Sequence, residues 1–329
     1  MKSDQQTTVR LLQTADEDYF LDFVDEFYSS IQAHPANYKV VREKNRHGRL
    51  KSWLVRKLAV LAGLHQLRIK LGSGKDINFA AMISGDFRLM IPNAFRSRRN
   101  YIYMFDVWPR FHHWIFPLLD FFKISYVFFS SQQVYQDYLK KYPTNRCKAM
   151  WLPEAIKSED YHFQSLADKN IDVLEFGRSY EAYHNLIAEA LQAQQKNHVF
   201  KSPGTQVLFP GKAAFTTALS QSKIVICVPS SVSHPERAEY ISTMTLRYLQ
   251  AMSSKCLIVG ILPSDMEEAF GYLPIVEIDM ENAAAQLISI LNNYEDYLPL
   301  IEKNYQEVVS SHQWLHRWKV IQQTMEETA

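Results

Sequence analysis

Residues 224–260 constrain the fold of this chain more than any other stretch: IVICVPSSVSHPERAEYISTMTLRYLQAMSSKCLIVG. The segment reads as a buried strand (Ile224 to Val228), a polar loop, a helix from about Thr243 to Ser253, and a second buried strand (Cys256 to Val259). Strand–helix alternation of this kind predicts a parallel α/β layer. In an open parallel sheet, ligands lie beyond the carboxyl ends of the strands and against helix N-termini. The loop that follows the first strand carries Ser230, Ser231, His234, Glu236 and Arg237. Hydroxyls, a carboxylate and a guanidinium at that place suit a sugar or phosphate group.

The alternation extends along the chain. In the first half, apolar runs occur at Ile77 to Ile83, Tyr101 to Phe105, Tyr126 to Phe129 and Ala149 to Leu152, with a helix predicted over Gln132 to Tyr142. No opening strand with a glycine-rich loop is evident before them. Glu17 to Gln32 has helical apolar spacing. The polar stretch Lys157 to Asn170 reads as a linker, and a second alternation begins with IDVLEFG at Ile171. The chain of 329 residues is long enough for two cores. The expected organisation is an α/β domain over 1–156, a second α/β domain over 171–298, and closing helix over 299–329. Two Rossmann-like domains of this kind would face a cleft.

Net charge is only +1, but the charge is uneven: Lys39 to Arg99 holds fifteen Lys or Arg against three acids, Glu43, Asp76 and Asp86. Within it, Lys51 to Lys70 alternates basic residues with Trp53, Leu54, Leu58, Leu61, Leu64 and Leu67. This is a basic amphipathic segment, suited either to an anionic membrane surface or to packing on a sheet with its basic edge in water. The chain has no RNP-like aromatic pattern, helix-turn-helix or zinc-finger spacing, so nucleic acid is not an expected partner. Three dispersed cysteines (Cys147, Cys227, Cys256) and an N-terminus without a secretory apolar core suggest reduced thiols in a cytoplasm. No metal-ligand spacing is evident. The longest apolar run, Trp114 to Phe122, is too short to span a bilayer.

Candidate site residues cluster at predicted strand ends. In the second half the first turn is Gly177-Arg178-Ser179: the glycine allows close backbone approach, and the arginine can neutralise a diphosphate. Thr243 and Thr245 open a helix whose free N–H groups favour an anion, with Arg247 in its first turn. These hydroxyls also suit ordinary helix caps, and Glu236 with Arg237 also suits a surface pair. In the first half, Asp106 follows an apolar strand; it can serve as a base on a hydroxyl or cap the next helix. Ser130, Ser131 and Glu154 end the next two runs. No Walker loop, GxGxxG fingerprint or G-x-S-x-G elbow occurs, which removes support for P-loop, nicotinamide and serine-hydrolase chemistry.

FGRSY, LFPG, the 224–260 segment and GYLPIVEID, in that order, resemble the C-terminal domain of bacterial group-1-like glycosyltransferases of the GT-B fold. The similarity is greatest to the spore-maturation-type branch, with its T-x-R-[YF]-x-[EQ]-A-M-x-S pattern. It covers Ile171 to Asp279; in the first half it rests on FDVWP, FFSS and WLPEA. The resemblance implies a nucleotide-diphosphate sugar as substrate for the C-terminal domain, an acceptor held by the N-terminal domain, and no metal or other cofactor. By that resemblance Arg178, Arg237, Thr245 and Arg247 would bind the donor and Glu236 would be catalytic at the sugar; the residues themselves add Gly177, Ser179, Ser230, Ser231 and Thr243 to the expected donor site and Asp106 as the expected catalytic base. The acceptor is unidentified, lipid-linked or a glycan, with peripheral contact at the inner membrane face an accompanying expectation. The sequence departs from the family's carboxylate-x7-carboxylate signature at Gln250 and Ser242. That leaves retention or inversion of configuration open, and leaves two alternatives: a non-catalytic module binding a sugar nucleotide or partner protein, or a sugar-nucleotide epimerase.

Overall fold

The computed structural model describes residues 6–14, 22–45, 53, 54, 57, 76–177, 179–201 and 208–328. The chain divides into two compact units, Met1–Pro153 and Glu154–Ala329. Among the described residues each contains one parallel sheet, of six strands in the first and five in the second.

The first sheet has six strands: β1 (Thr8–Thr14), β2 (Lys39–Asn45), β3 (Ile77–Ile83), β4 (Arg99–Phe105), β5 (Ile124–Phe129) and β6 (Lys148–Trp151), in the order β2-β1-β3-β4-β5-β6. Their pairings are all parallel. The central strands are apolar on both faces, as parallel strands covered by helices must be. Of the expected lack of an opening strand with a glycine-rich loop, the strand half is overturned: β1 lies inside the sheet with Val9, Leu11 and Leu12 fully buried, while the sequence after it holds no glycine before β2. Its charge disguises it. Arg10 interrupts the apolar run, and only the fold supplies its partners, Glu43 at 2.6 Å and Asp76 at 2.5 Å, on or beside the flanking strands.

Helix Asp22–Ala33 packs on this sheet; residues 15–21 of the predicted helix lie outside the described residues. Phe27 meets Phe79 and Tyr103 edge-on. The buried Tyr28 hydroxyl donates to the Leu12 carbonyl at 2.7 Å and accepts the Ala81 amide at 2.8 Å. A buried phenol needs such partners, and here they fasten the helix to β1 and β3. Of the basic segment Lys51 to Lys70, only Trp53, Leu54 and Lys57 are described; both apolar side chains are exposed and the Lys57 ammonium lies over the Trp53 ring.

The second sheet has five strands: β7 (Ile171–Glu175), β8 (His198–Val199), β9 (Ser222–Cys227), β10 (Leu257–Gly260) and β11 (Val276–Glu277), in the order β11-β10-β9-β7-β8, again with parallel pairing. Alternation along β9 sends Val225 and Cys227 into one core and Ile224 and Ile226 into another. Helix Leu246–Ser253 covers the first core with Tyr248, Leu249 and Met252. Helices Glu181–Ala193 and Ala283–Asn292 cover the second with Tyr183, Ile187, Leu191, Leu287 and Ile290.

The stretch 157–170, read from sequence as a linker, packs on this unit. Tyr161 enters its core, and the buried Lys169 ammonium donates to the carbonyls of Ser220, Ser222 and Ser254. Burial lowers the Lys169 pKa. Helices Leu298–Ser311 and Trp314–Glu327 close the chain, with Trp314 and Trp318 fully buried.

Candidate functional site

The carboxyl ends of β7 and β9 are joined by one side chain. Arg247, in the first turn of helix Leu246–Ser253, donates from Nη2 to the Val228 carbonyl just past β9 at 2.7 Å. Its aliphatic stem lies against Gly177, two residues past β7. Gly177 has φ of +72°, and a Cβ there would stand 3.0 Å from Arg247 Cδ. Both the left-handed backbone and the close approach call for glycine. The predicted pair Gly177 and Arg247 is therefore brought together. Beside it, Gly260 lets β9 and β10 end close together: a Cβ on residue 260 would sit 1.8 Å from the Cys227 carbonyl oxygen.

The segment that delivers Arg247 is fastened from below. Asp265, buried past β10, accepts the Thr243 hydroxyl at 2.5 Å and the Met244 amide at 2.7 Å. Thr243, expected at the donor, thus directs its hydroxyl to a buried carboxylate. Thr245 is the N-cap residue of the helix, with extended backbone and no side-chain cap bond; its Oγ1 is buried without a hydrogen-bond partner among the described residues. The cap is supplied instead from far away in sequence. Glu154 Oε2 accepts the Leu246 amide at 2.9 Å, setting a carboxylate on the positive end of the helix. Gln250, where the family signature has a carboxylate, donates to the Tyr161 hydroxyl at 3.0 Å.

Glu154 is itself held by the last helix. Its carbonyl accepts Arg317 Nη2 at 3.2 Å, and the same guanidinium group donates to His312 Nδ1 at 2.8 Å. His312 stacks on Phe270 with ring centroids 4.5 Å apart. Burial first, then the Arg317 charge, lower its pKa to about 3.

The other described candidates occupy the loop and turns at this edge. Ser230 and Ser231 open a short helical turn, Ser230–Ser233, that follows Pro229; Ser230 is buried and Ser231 half-buried. Glu236 is exposed and Arg237 half-buried on the next turn, Pro235–Ala238. Ser179 is exposed, and Arg178 lies outside the described residues. The Cys227 thiol, fully buried at the end of β9, has its pKa pushed up to about 12 by desolvation, which removes it as a nucleophile.

In the first unit the strand ends are shaped by backbone. Ser84 and Gly85, past β3, have φ of +48° and +68°, and Asp106, past β4, has φ of +50°. Ser84 donates its amide to the Phe105 carbonyl and its hydroxyl to the Asp106 carbonyl at 2.9 Å. Asp106 is half-buried. Ser130 and Ser131, past β5, are buried, and Ser131 Oγ has no hydrogen-bond partner among the described residues. His112, by contrast, is engaged within the protein: it stacks on Phe116, bonds to the Val107 carbonyl and lies 3.3 Å from both Asp137 Oδ2 and Lys141 Nζ.

No family model and no curated protein matches this chain. Solved structures do. A glycosyltransferase from Rickettsia africae ESF-5 aligns over 98% of this chain and 99% of its own, with TM-score 0.62 and 10% identity. Anabaena Alr3699/HepE, solved in complex with UDP and glucose, aligns over 97% and 99%, with TM-score 0.60 and 11% identity. Sucrose-phosphate synthase from Thermosynechococcus elongatus aligns over 98% and 100%, with TM-score 0.60 and 13% identity. The fold is GT-B.

In this GT-B chain the likeness extends to the fold and not to the spore-maturation-type branch that the sequence resembles. Asp265 and the capping role of Glu154 escaped the sequence reading. A carboxylate after an apolar strand was the available signal for each, since Asp265 follows CLIVGILPS and Glu154 follows MWLP. What each carboxylate accepts depends on a loop elsewhere in the chain.

Proposed function

We propose that this GT-B protein transfers a sugar from a nucleoside-diphosphate sugar to an acceptor hydroxyl, with the donor on the second unit. The observation that carries the reading is Arg247, set across the carboxyl ends of β7 and β9 with its stem on Gly177. A diphosphate at that edge meets a fixed cation at the head of a helix. The helix head already holds one carboxylate, Glu154, so the charge of the leaving diphosphate falls to Arg247, joined by Arg178 and Arg237. Ser179, Ser230, Ser231 and Thr245 supply the polar surround, Thr243 supports the segment behind them through Asp265, and Glu236 contacts the sugar.

In the reaction the acceptor oxygen attacks the anomeric carbon and the bond from that carbon to the phosphate oxygen breaks. The diphosphate departs with the electron pair, and Asp106 takes the hydroxyl proton. Protein cations preorganised at the departing oxygen lower the barrier without a metal. The basic segment Lys51 to Lys70 would dock on an anionic membrane that presents a lipid-linked acceptor. Failure to float with anionic liposomes would remove that part of the proposal.

The donor reading is tested by thermal shift with UDP, GDP, TDP and CMP and their sugars, on the wild type and on Arg247→Ala. One nucleotide raising the melting temperature of the wild type alone supports it and names the base. No shift with any of them overturns it.

One observation favours a second reading, a non-catalytic module. Gln250 is already engaged by Tyr161 and the Leu246 amide by Glu154, so two groups that would face a donor are satisfied within the protein. Donor hydrolysis or transfer that is lost in Asp106→Asn or Glu236→Gln would exclude it.

A further inference from the structure

Three side chains at the outer end of the second sheet converge on one point. Glu175 is the last residue of β7, His184 lies in the first turn of helix Glu181–Ala193, and His198 opens the edge strand β8, opposite Val173. His184 Nδ1 and His198 Nε2 each stand 2.7 Å from the same oxygen, Glu175 Oε1. One ligand atom from each residue lies within 4.8 Å of the other two. The Glu175 and His198 side chains are each 6% exposed and His184 is 21% exposed. Phe200 lies against both imidazoles, with ring centroids at 4.5 and 4.7 Å.

We propose that Glu175, His184 and His198 bind one divalent first-row transition ion, zinc being the best match. Two imidazoles and a carboxylate supply three of the four ligands of a tetrahedral zinc ion, with a water molecule as the fourth. Magnesium and calcium prefer oxygen shells and are poorly served by two nitrogens. Bonds of ~2.0–2.1 Å in a tetrahedral site place ligand atoms roughly 3.3 Å apart. The two nitrogen–oxygen distances would open by about 0.6 Å and the two nitrogens, within 4.8 Å of each other, would settle at roughly 3.3 Å, by rotation of side chains on three separate elements. Phe200 supplies an apolar wall beside the rings, of the kind that limits water at a metal centre.

The place gives the ion a structural task. β8 is a two-residue edge strand, and an ion here stitches it and the head of the helix to β7. It also fixes the residue two positions before Gly177, whose turn holds the stem of Arg247. The assignment does not depend on the transfer chemistry proposed above.

The test uses the full chain stripped with chelator and titrated with zinc chloride by calorimetry, with magnesium chloride as counter-probe. The expected result is one zinc per chain at submicromolar Kd, a higher melting temperature with zinc, and no response to magnesium. Cobalt should give the visible absorption of a four- or five-coordinate site. His184→Ala, on the most exposed of the three ligands, and Glu175→Gln should each weaken zinc binding more than about 100-fold. The chain has eleven histidines, so binding must be located as well as detected. Absence of saturable zinc binding by the wild type, or equal binding by folded His184→Ala, overturns the assignment.

Discussion

The carboxyl edges of the two sheets are built by different means. In the second unit, side chains fasten the edge: Arg247 to Val228, Asp265 to Thr243 and Met244, Glu154 to Leu246, Gln250 to Tyr161. In the first, backbone shapes it: Ser84 and Asp106 both hold positive φ, and Ser84 bonds to main-chain carbonyls. A residue other than glycine in that region costs about 1–2 kcal/mol, less for Asp, and persists only where its surroundings hold it. A network of side chains fixes charge in place, as a site for an anion needs. A turn held at positive φ sets Asp106 at the end of β4, with its main-chain carbonyl accepting the Ser84 hydroxyl.

The sharpest break in that contrast is Asp265→Ala. It leaves the Thr243 hydroxyl and the Met244 amide buried without their acceptor, at an expected cost of about 3–5 kcal/mol. Urea denaturation measures the loss, and hydrogen exchange should confine it to Glu154–Ala329. Exchange that rises equally in both units would remove the distinction between the edges.

Arg247→Ala comes next. Charge-assisted hydrogen bonds to an anion are worth ~1.5–3 kcal/mol, so nucleotide affinity should fall roughly 10–100-fold. Folding stability should fall by ~1.5–3 kcal/mol, for the lost charge-assisted bond to the Val228 carbonyl. Calorimetric titration reads the first and denaturation the second; an unchanged Kd would detach Arg247 from any anion site.

Acid should loosen the second edge through His312. Its pKa falls from 6.5 to about 3 on folding, so below pH 6.5 the unfolded chain takes up a proton that the folded chain refuses. Stability from this group is complete above pH 6.5 and declines by about 1.4 kcal/mol per pH unit as pH falls toward 3. Protonation also sets two cations side by side at Arg317, whose guanidinium holds the Glu154 segment. Stability measured between pH 7 and pH 4 in His312→Phe should lack this slope; the same slope in variant and wild type would assign it to other groups.

The smallest effect concerns the first edge. Asp106→Gly relieves the left-handed backbone and should raise stability by about 0.5–1 kcal/mol while abolishing transfer to an acceptor. A variant both less stable and fully active would make Asp106 a structural residue.

Much of the fold was legible in the chain. The apolar runs that became β3 to β7, β9 and β10 announce strands buried on both faces, because a parallel strand between helices must be apolar on each side. Gly177 was legible too, as a glycine just past such a run. β1 was not, because Arg10 breaks its pattern and is neutralised only when Glu43 and Asp76 arrive beside it. The stretch 157–170 looked like linker because its polarity hides two anchoring residues, Tyr161 and Lys169.

By itself the sequence determined two parallel sheets and the strand ends at which a ligand would be met, since both follow from hydrophobic period and turn chemistry local to a few residues. Tertiary structure decided which polar groups remain to meet it. Glu154 reaches Leu246 across 92 positions, Asp265 reaches Thr243 across 22, and His198 reaches Glu175 across 23. Hydrogen bonds and ion sites act over about 3 Å, and no local pattern records which distant residues the fold will bring within that range.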